Sequence, residues 1–203
     1  MTQTAAKPLI AEEDALRADL YDFLAALLAV PPKRALLTRC ELLTGDETPL
    51  GRGISTLAKL AKSTTETSVE REFNTLFIGL ARGELLPYAS FYMTGFLNEK
   101  PLAQLRNDMT AQQITRAPNV YEPEDNIASL MEMMAGLIDG RFGVPASLDV
   151  QKTFFNRHIA PWATHFFTDL EGAKTSVFYA PVGLIGKTFM TIEREAFRLM
   201  AQG

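Results

Sequence analysis

The chain has 203 residues, of which 47% are hydrophobic and 22% are charged, and its formal net charge is −4. This length and composition exclude a disordered chain and predict a globular protein with a substantial core. The negative charge argues against nucleic acid as the main partner, because nucleic-acid binding requires a basic surface.

The N-terminal region has the wrong charge pattern for an export signal. The apolar run at 24–30 follows four acidic residues between positions 12 and 19, where a signal peptide would carry basic residues. No apolar stretch reaches the length of a transmembrane helix. The single cysteine, Cys40, suits a reducing compartment. We therefore expect a cytoplasmic protein with no stable membrane insertion.

Apolar residues recur at spacings of three and four along the first half of the chain, which predicts amphipathic helices. The first helix spans residues 12–29 and ends before a proline pair. The second runs through Leu43, and a loop over residues 44–53 leads to the third. Thr67 and Glu70 fit a capping box that opens a fourth helix.

The second half of the chain continues the helical pattern. The segment 85–97, LLPYASFYMTGFL, is almost wholly apolar and predicts a central helix that is buried on all sides. Pro101 starts the next helix, residues 127–138 again have helical spacing, and Ser147 caps a helix before an aromatic segment. Trp162 of that segment is expected to be buried. No segment alternates with period two, so the predicted fold class is all-α, a single multi-helix bundle.

Residues 121–126, YEPEDN, gather three acids around a proline where a helix begins. Proline at the first helical position and acids in the first turn are ordinary helix punctuation, and Glu124 and Asp125 fit that role. Glu122, however, precedes the proline, and Tyr121 beside it is a residue type common at binding surfaces. The segment therefore also fits a binding site for a basic, partly apolar peptide. Three methionines would add an adaptable apolar surface to that site: Met131, Met133 and Met134.

Motifs for catalysis or cofactor binding are scarce. The chain has no glycine-rich phosphate loop, no cysteine pair and no Glu-x-x-His pair of the di-iron type. We therefore expect a binding protein with no cofactor and no metal. The alternative is a small helical metal-dependent enzyme using His158 and His165, with Asp169 one turn after His165. A third hypothesis is a structural subunit of a larger helical complex.

Four segments share their order and character with a known family. They are EFNTLFIG at 72–79, LPYASFY at 86–92, EPEDN at 122–126 and FFNRHIAPWATHFFTDL at 154–170. With them, the chain from about residue 15 to 200 resembles the TorD/DmsD/NarJ family of redox-enzyme maturation chaperones, most closely its TorD-like branch. Position 126 is asparagine where the family signature usually has histidine, so this position has no titratable group.

The resemblance implies a cytoplasmic all-helical chaperone. It would have an N-terminal helical part, 1–120, and a C-terminal helical part, 121–203, in one compact unit with a hinge near residues 115–125. Such proteins bind the twin-arginine leader and the apo form of a molybdenum-cofactor oxidoreductase, assist cofactor insertion and delay export. Residues 81–97 look like members associated with formate dehydrogenases. The family includes domain-swapped dimers, so both a monomer and a homodimer fit.

The resemblance also implies where the signal peptide binds. Glu122 and Asp125 match acidic positions of the family signature, and carboxylates suit the planar guanidinium groups of paired arginines. Tyr88 and Tyr92 are implied as aromatic residues of a binding groove. The full set of implied signal-peptide-binding residues is Glu122, Asp125, Glu124, Asn126, Tyr121, Tyr88 and Tyr92.

Overall fold

The structure, a computed structural model, describes residues 10–80, 82–118 and 120–199. Within these ranges it contains ten α-helices and no β-strand, which confirms the all-α fold class. The helices are α1 (Glu12–Ala29), α2 (Arg34–Glu41), α3 (Pro49–Ser63), α4 (Glu66–Phe73), α5 (Ala89–Thr94), α6 (Lys100–Ala111), α7 (Ile127–Asp139), α8 (Leu148–Phe154), α9 (Ala163–Gly172) and α10 (Tyr179–Leu199). A π-helical turn extends α4 over Asn74–Ile78 and another extends α8 over Phe155–Ile159.

Local sequence determines several helix ends in the first half. Helix α1 has the predicted bounds, whereas α2 ends at Glu41 and leaves Leu43 outside it. The predicted loop over 44–53 is too long, because Thr48 caps α3 by accepting a hydrogen bond from Gly51 N at 3.0 Å.

The capping box that opens α4 lies two residues before its predicted position. It consists of Thr65 and Ser68, not Thr67 and Glu70, and each of its side chains accepts a hydrogen bond from the other residue's backbone N–H. A serine at the third helical position can therefore take the part usually given to glutamate.

The predicted buried helix over residues 85–97 is wrong. Only Ala89–Thr94 is helical, and Gly95 ends it with a φ of +84°. The side chain of Phe96 is 71% exposed, because it lies beyond this turn. Tyr88, just before this helix, is instead extended and pairs with Asn126, which directly precedes α7. An apolar composition alone could not reveal this long-range pairing.

The core joins the two predicted parts of the chain. Helix α1 packs against α7, and α10 packs against α3 and α9. Helices α9 and α10 approach each other closely at two glycines of α10. A Cβ atom at Gly183 would lie 2.4 Å from the backbone N of Glu171, and one at Gly186 would lie 2.3 Å from the ring of Phe167. The division at residue 120, with a hinge near 115–125, stays a prediction, and residues 112–126 form the connection between α6 and α7.

The aromatic side of the core lies around α9. Trp162 is 1% exposed, as predicted, and its indole N–H donates to the carbonyl of His158 at 2.8 Å. The rings of Tyr92 and Phe166 lie 5.3 and 5.9 Å from the Trp162 ring, centre to centre. This cluster attaches α5 to α9.

A buried ion pair connects the two longest helices. Glu193 of α10 is 1% exposed, and its carboxylate accepts two hydrogen bonds of 2.8 Å from the guanidinium of Arg17 on α1. The hydroxyl of Tyr21 donates a third at 3.0 Å. Burial, followed by the Glu193 charge, raises the pKa of Tyr21 well above its ordinary value, so the phenol stays a donor.

A carboxylate from α4 holds the start of α10. The side chain of Glu72 accepts hydrogen bonds from three consecutive backbone N–H groups: those of Val177 at 2.8 Å, Phe178 at 3.1 Å and Tyr179 at 2.9 Å. The one acidic residue of EFNTLFIG, Glu72, therefore has a structural role. No helix in the described part of the chain has both the length and the apolarity needed to cross a bilayer.

Candidate functional site

Two of the segments quoted above meet in space. The N–H of Ala89 donates to the carbonyl of Asp125 at 3.0 Å, and the N–H of Ile127 donates to the carbonyl of Pro87 at 2.8 Å. These bonds form one antiparallel bridge between Tyr88 and Asn126. We call residues 87–90 and 121–127 together the acidic junction.

Asp125 lies inside the acidic junction. It is 1% exposed, and its Oδ2 accepts a hydrogen bond from the N–H of Ser90 at 2.7 Å in the first turn of α5. Its Oδ1 and the hydroxyl of Ser90 are buried without a hydrogen-bond partner among the described residues. Asp125 thus fixes the start of α5 and does not reach the surface.

Asn126 begins α7. Its side-chain oxygen accepts a hydrogen bond from the N–H of Ala128 at 2.9 Å, and it is 8% exposed. The helix starts at Ile127, so its first turn contains no acid. The expectation that Glu124 and Asp125 occupy that first turn is therefore wrong, because Asn126 is the better cap and places both acids before the helix.

Glu124 is neutralised by two arginines, one on α6 and one in the connection that follows it. Arg106 donates two hydrogen bonds to its Oε2, at 2.9 and 3.1 Å, and Arg116 lies 3.3 Å from the same atom. Partial burial alone would raise the pKa of Glu124, but the two guanidinium groups outweigh it and hold the pKa below its ordinary value. Sequence reasoning missed both arginines, since they stand 18 and 8 positions before Glu124.

Glu122 is the exposed acid of the junction. The hydroxyl of Tyr88 donates to its carboxylate, and Arg116 donates to its backbone carbonyl at 2.9 Å, leaving the side chain without an ion pair among the described residues. Partial burial raises the pKa of Glu122. Tyr121, beside it, is 85% exposed. The structure thus brings Tyr88, Tyr121 and Glu122 together at the surface.

Tyr92 lies apart from these residues. Its hydroxyl donates to Asp169 on α9 at 2.9 Å, and its ring packs on Trp162. Burial, followed by the hydrogen bond to Asp169, raises the pKa of Tyr92. Tyr92 therefore borders the aromatic core, and Asp169 bonds it instead of pairing with His165.

The methionines of α7 do not form a surface. Met131, Met133 and Met134 are 0%, 7% and 0% exposed, because α7 is a central helix covered by α1. The prediction that they provide an adaptable binding surface is wrong. They fill the core, which is the commoner use of methionine at helical spacing.

The two histidines do not converge on a metal site. His158 is 4% exposed and its Nε2 lies 2.7 Å from a carboxylate oxygen of Asp108, whereas His165 is exposed on α9. Burial lowers the pKa of His158 more than Asp108 raises it. The described residues contain no group of three or more potential ligands that could hold a metal ion.

Comparisons with known proteins identify the fold and the family. Residues 44–168 match the family model described as nitrate reductase delta subunit. Chaperone protein TorD of Vibrio cholerae is 29% identical over 133 residues, 60% of each chain, and that of Aliivibrio fischeri is 26% identical over 200 residues, covering 87% of this chain and 92% of the relative. The match to the Vibrio cholerae relative thus spans less than two thirds of its length.

Two further similarities concern the family and the fold in turn. A protein of Haemophilus influenzae named as a probable Tat proofreading chaperone, DmsD, is 26% identical over 140 residues, 68% of this chain and 65% of its own. A crystal structure from Archaeoglobus fulgidus, of a protein assigned to redox enzyme maturation, has a TM-score of 0.56 at 16% identity. It covers 92% of this chain and 99% of that one, which supports the fold alone.

Proposed function

We propose that this chain, which belongs to the nitrate reductase delta subunit family that includes NarJ and TorD, is a cytoplasmic maturation chaperone without catalytic activity. Its client would be a molybdenum-cofactor oxidoreductase, which it holds as the apo-protein by the twin-arginine leader. The relatives named as chaperones support this class of function. The likeness of residues 81–97 to members associated with formate dehydrogenases supports a client of that type.

The proposal rests on the exposure of the Glu122 carboxylate and on its lack of an ion-pair partner among the described residues. Of the three acids in residues 122–126, Asp125 is buried and Glu124 is paired with arginines. The carboxylate of Glu122 is exposed and has no ion pair among the described residues, since Arg116 bonds only its backbone carbonyl. A free carboxylate beside a tyrosine hydroxyl suits a guanidinium, because arginine donates several hydrogen bonds in one plane.

The surroundings of Glu122 suit the rest of a basic, partly apolar peptide. A pocket of about 120 Å³ beside it is lined by apolar side chains that include Ile114, Val120 and Phe142. Tyr121 offers an exposed ring on which a second arginine can stack. We assign direct contact with the leader to Glu122 and Tyr121, with Tyr88 orienting the carboxylate. Asp125 and Asn126 would act by positioning the junction.

Titration calorimetry with a synthetic twin-arginine peptide tests the proposal. Glu122→Gln should weaken binding by up to about fivefold, equivalent to about 1 kcal/mol for a partly exposed ion pair. Glu99→Gln, which removes another exposed carboxylate at the start of α6, should bind like the unsubstituted protein. A peptide with both arginines replaced by glutamine should bind more weakly to the unsubstituted protein. Equal affinity for the two peptides would contradict the proposed function.

A further inference from the structure

Helix α1 has a second apolar face that the core does not cover. Tyr21, Leu24 and Leu28 lie on its buried face. On another face, Leu16 is 64% exposed, and Leu20 and Phe23 are only partly buried. The spacing of these last two from Leu16, four and seven residues, places all three on one stripe. An apolar stripe of this kind needs a partner to leave water completely.

The stripe forms one wall of an open groove on the described part of the molecule. This groove has a volume of about 830 Å³ and lies between α1, α2, α3 and α7. Ligand-binding clefts have volumes of roughly 300–1,000 Å³. Its apolar lining comes from all the first three helices and the residues after α2, and includes Leu20, Phe23, Leu36, Leu43 and Ile54.

The charges of the groove favour a cationic occupant. Three carboxylates line it, those of Asp19, Asp22 and Glu132, against one guanidinium, that of Arg39. Asp22 is paired with Arg141, at 2.6 Å between the charged atoms. Asp19 and Glu132 are exposed and have no ion-pair partner in the described part of the chain. The groove therefore combines an apolar floor with a negative rim.

Glu132 connects this groove with the acidic junction. It lines the groove on one side and, on the other, the small pocket that also contains Glu122. Glu132 stands on α7, whose first residue is Ile127. A peptide bound at Glu122 can therefore continue past Glu132 into the groove without leaving the surface.

We propose that this groove binds the apolar core of the leader as a short helix, an inference that rests on the proposed function. The order of the surface matches the order of an export signal, in which a basic region precedes an apolar region of about 7–15 residues. The arginines would lie between Glu122 and Glu132, and the apolar core would cover Leu16, Leu20 and Phe23. An apolar helix face laid in a groove is a common mode of peptide recognition.

Two leucine pairs provide a matched test. Leu16→Ser/Leu20→Ser removes two apolar side chains of the groove, and Leu148→Ser/Leu199→Ser removes two exposed leucines of α8 and α10 outside it. The probe is a synthetic labelled peptide with two adjacent arginines followed by a core of leucine and alanine. The groove pair should bind this peptide roughly tenfold more weakly, as expected for the loss of about two partly buried apolar contacts, and the control pair should bind normally.

A second peptide, whose leucines are replaced by serine, isolates the apolar term. This peptide should bind the groove pair and the unsubstituted protein with the same affinity, because it has no leucine side chains for the groove to contact. Asp19→Asn/Glu132→Gln, which alters only exposed carboxylates, should weaken binding of the first peptide severalfold and make the loss smaller at high salt. If the serine pair lowers the stability of the protein, the carboxylate variant still tests the groove, because it changes only exposed side chains.

Three outcomes distinguish failure of the groove from failure of the proposed function. Normal binding by both groove variants, together with weak binding by Glu122→Gln, overturns the groove and leaves the proposed function intact. Equal affinity of the unsubstituted protein for arginine and glutamine peptides overturns both. A shift from dimer to monomer in Leu16→Ser/Leu20→Ser, with peptide binding unchanged, overturns the inference by assigning the groove to a second copy of this chain.

Discussion

The interface between α1 and α10 and the acidic junction both depend on carboxylates, but they use them in opposite ways. In the interface, Glu193 is buried and receives three hydrogen bonds from Arg17 and Tyr21. In the junction, Glu122 is exposed and receives one hydrogen bond, from Tyr88. The first arrangement satisfies its charge within the chain, and the second leaves charge available for a partner.

The difference teaches that acidic clustering in the sequence does not identify a binding carboxylate. Asp125 stands three positions after Glu122 yet is buried against Ser90. Glu193, in an ordinary helical stretch, meets a partner 176 positions away. The fate of each carboxylate depends on which distant donors the fold brings to it, and replacing the acids one at a time tests this conclusion.

The largest effect should come from Glu193→Ala. It leaves the guanidinium of Arg17, whose side chain is 17% exposed, without its main partner, and we expect the free energy of unfolding to fall by about 3–5 kcal/mol. On the same helix, Glu195 forms an exposed pair with Arg198, so Glu195→Ala should cost at most about 1 kcal/mol. Urea denaturation of the two variants makes the comparison, and equal midpoints would contradict it.

An intermediate effect should come from the buried acid of the junction. Asp125→Ala leaves the N–H of Ser90 buried without its acceptor, and we expect a loss of about 1–3 kcal/mol in unfolding free energy. Asp125→Asn retains an oxygen acceptor and should recover most of that loss. Thermal melts in parallel with peptide titration separate the roles: if Asp125→Asn were fully stable but failed to bind the peptide, Asp125 would belong to the contact surface after all.

The sequence predicted best what depends on neighbouring residues. The bounds of α1 follow from an apolar stripe that ends at a proline pair, and the capping of α8 by Ser147 follows from its hydroxyl, which accepts a hydrogen bond from Val150 N at 3.4 Å. The burial of Trp162 followed from its aromatic neighbours. The family signature also directed attention to Glu122.

The errors have one physical cause, which is pairing between residues far apart in the chain. Residues 87–90 looked like part of a buried helix, but hydrogen bonds to Asp125 and Ile127 hold their start in an extended conformation. The cap that Glu72 provides for α10 crosses more than 100 positions. The groove was missed because one apolar pattern in α1 covers two faces, and periodicity does not tell which face finds a partner.

The smallest effect should be the pH dependence of peptide binding at Glu122. Only the ionised carboxylate attracts a guanidinium, so affinity should fall as the pH is lowered through the pKa of Glu122. An ordinary glutamate has a pKa of 4.5, and partial burial raises the pKa of Glu122 above that value. The fall in affinity should therefore begin at a higher pH than it would for an ordinary glutamate. Glu124 should stay ionised there, because Arg106 and Arg116 hold its pKa down.

The size of this change is limited by solvent exposure, to about fivefold or less between neutral pH and the protonated form. Glu122→Gln should bind with the reduced affinity at neutral pH and lose this part of the pH dependence. The free energy of unfolding of Glu122→Gln should not be lower than that of the unsubstituted protein at neutral pH. A carboxyl group whose pKa is raised in the folded state stabilises the fold only when it is protonated, and at neutral pH Glu122 is ionised. Peptide titrations at several pH values, with Glu99→Gln as the control, measure the effect. An unchanged pH profile in Glu122→Gln would place the arginine contact on another carboxylate, and Glu132, exposed at the entrance to the groove, would then be the next residue to replace.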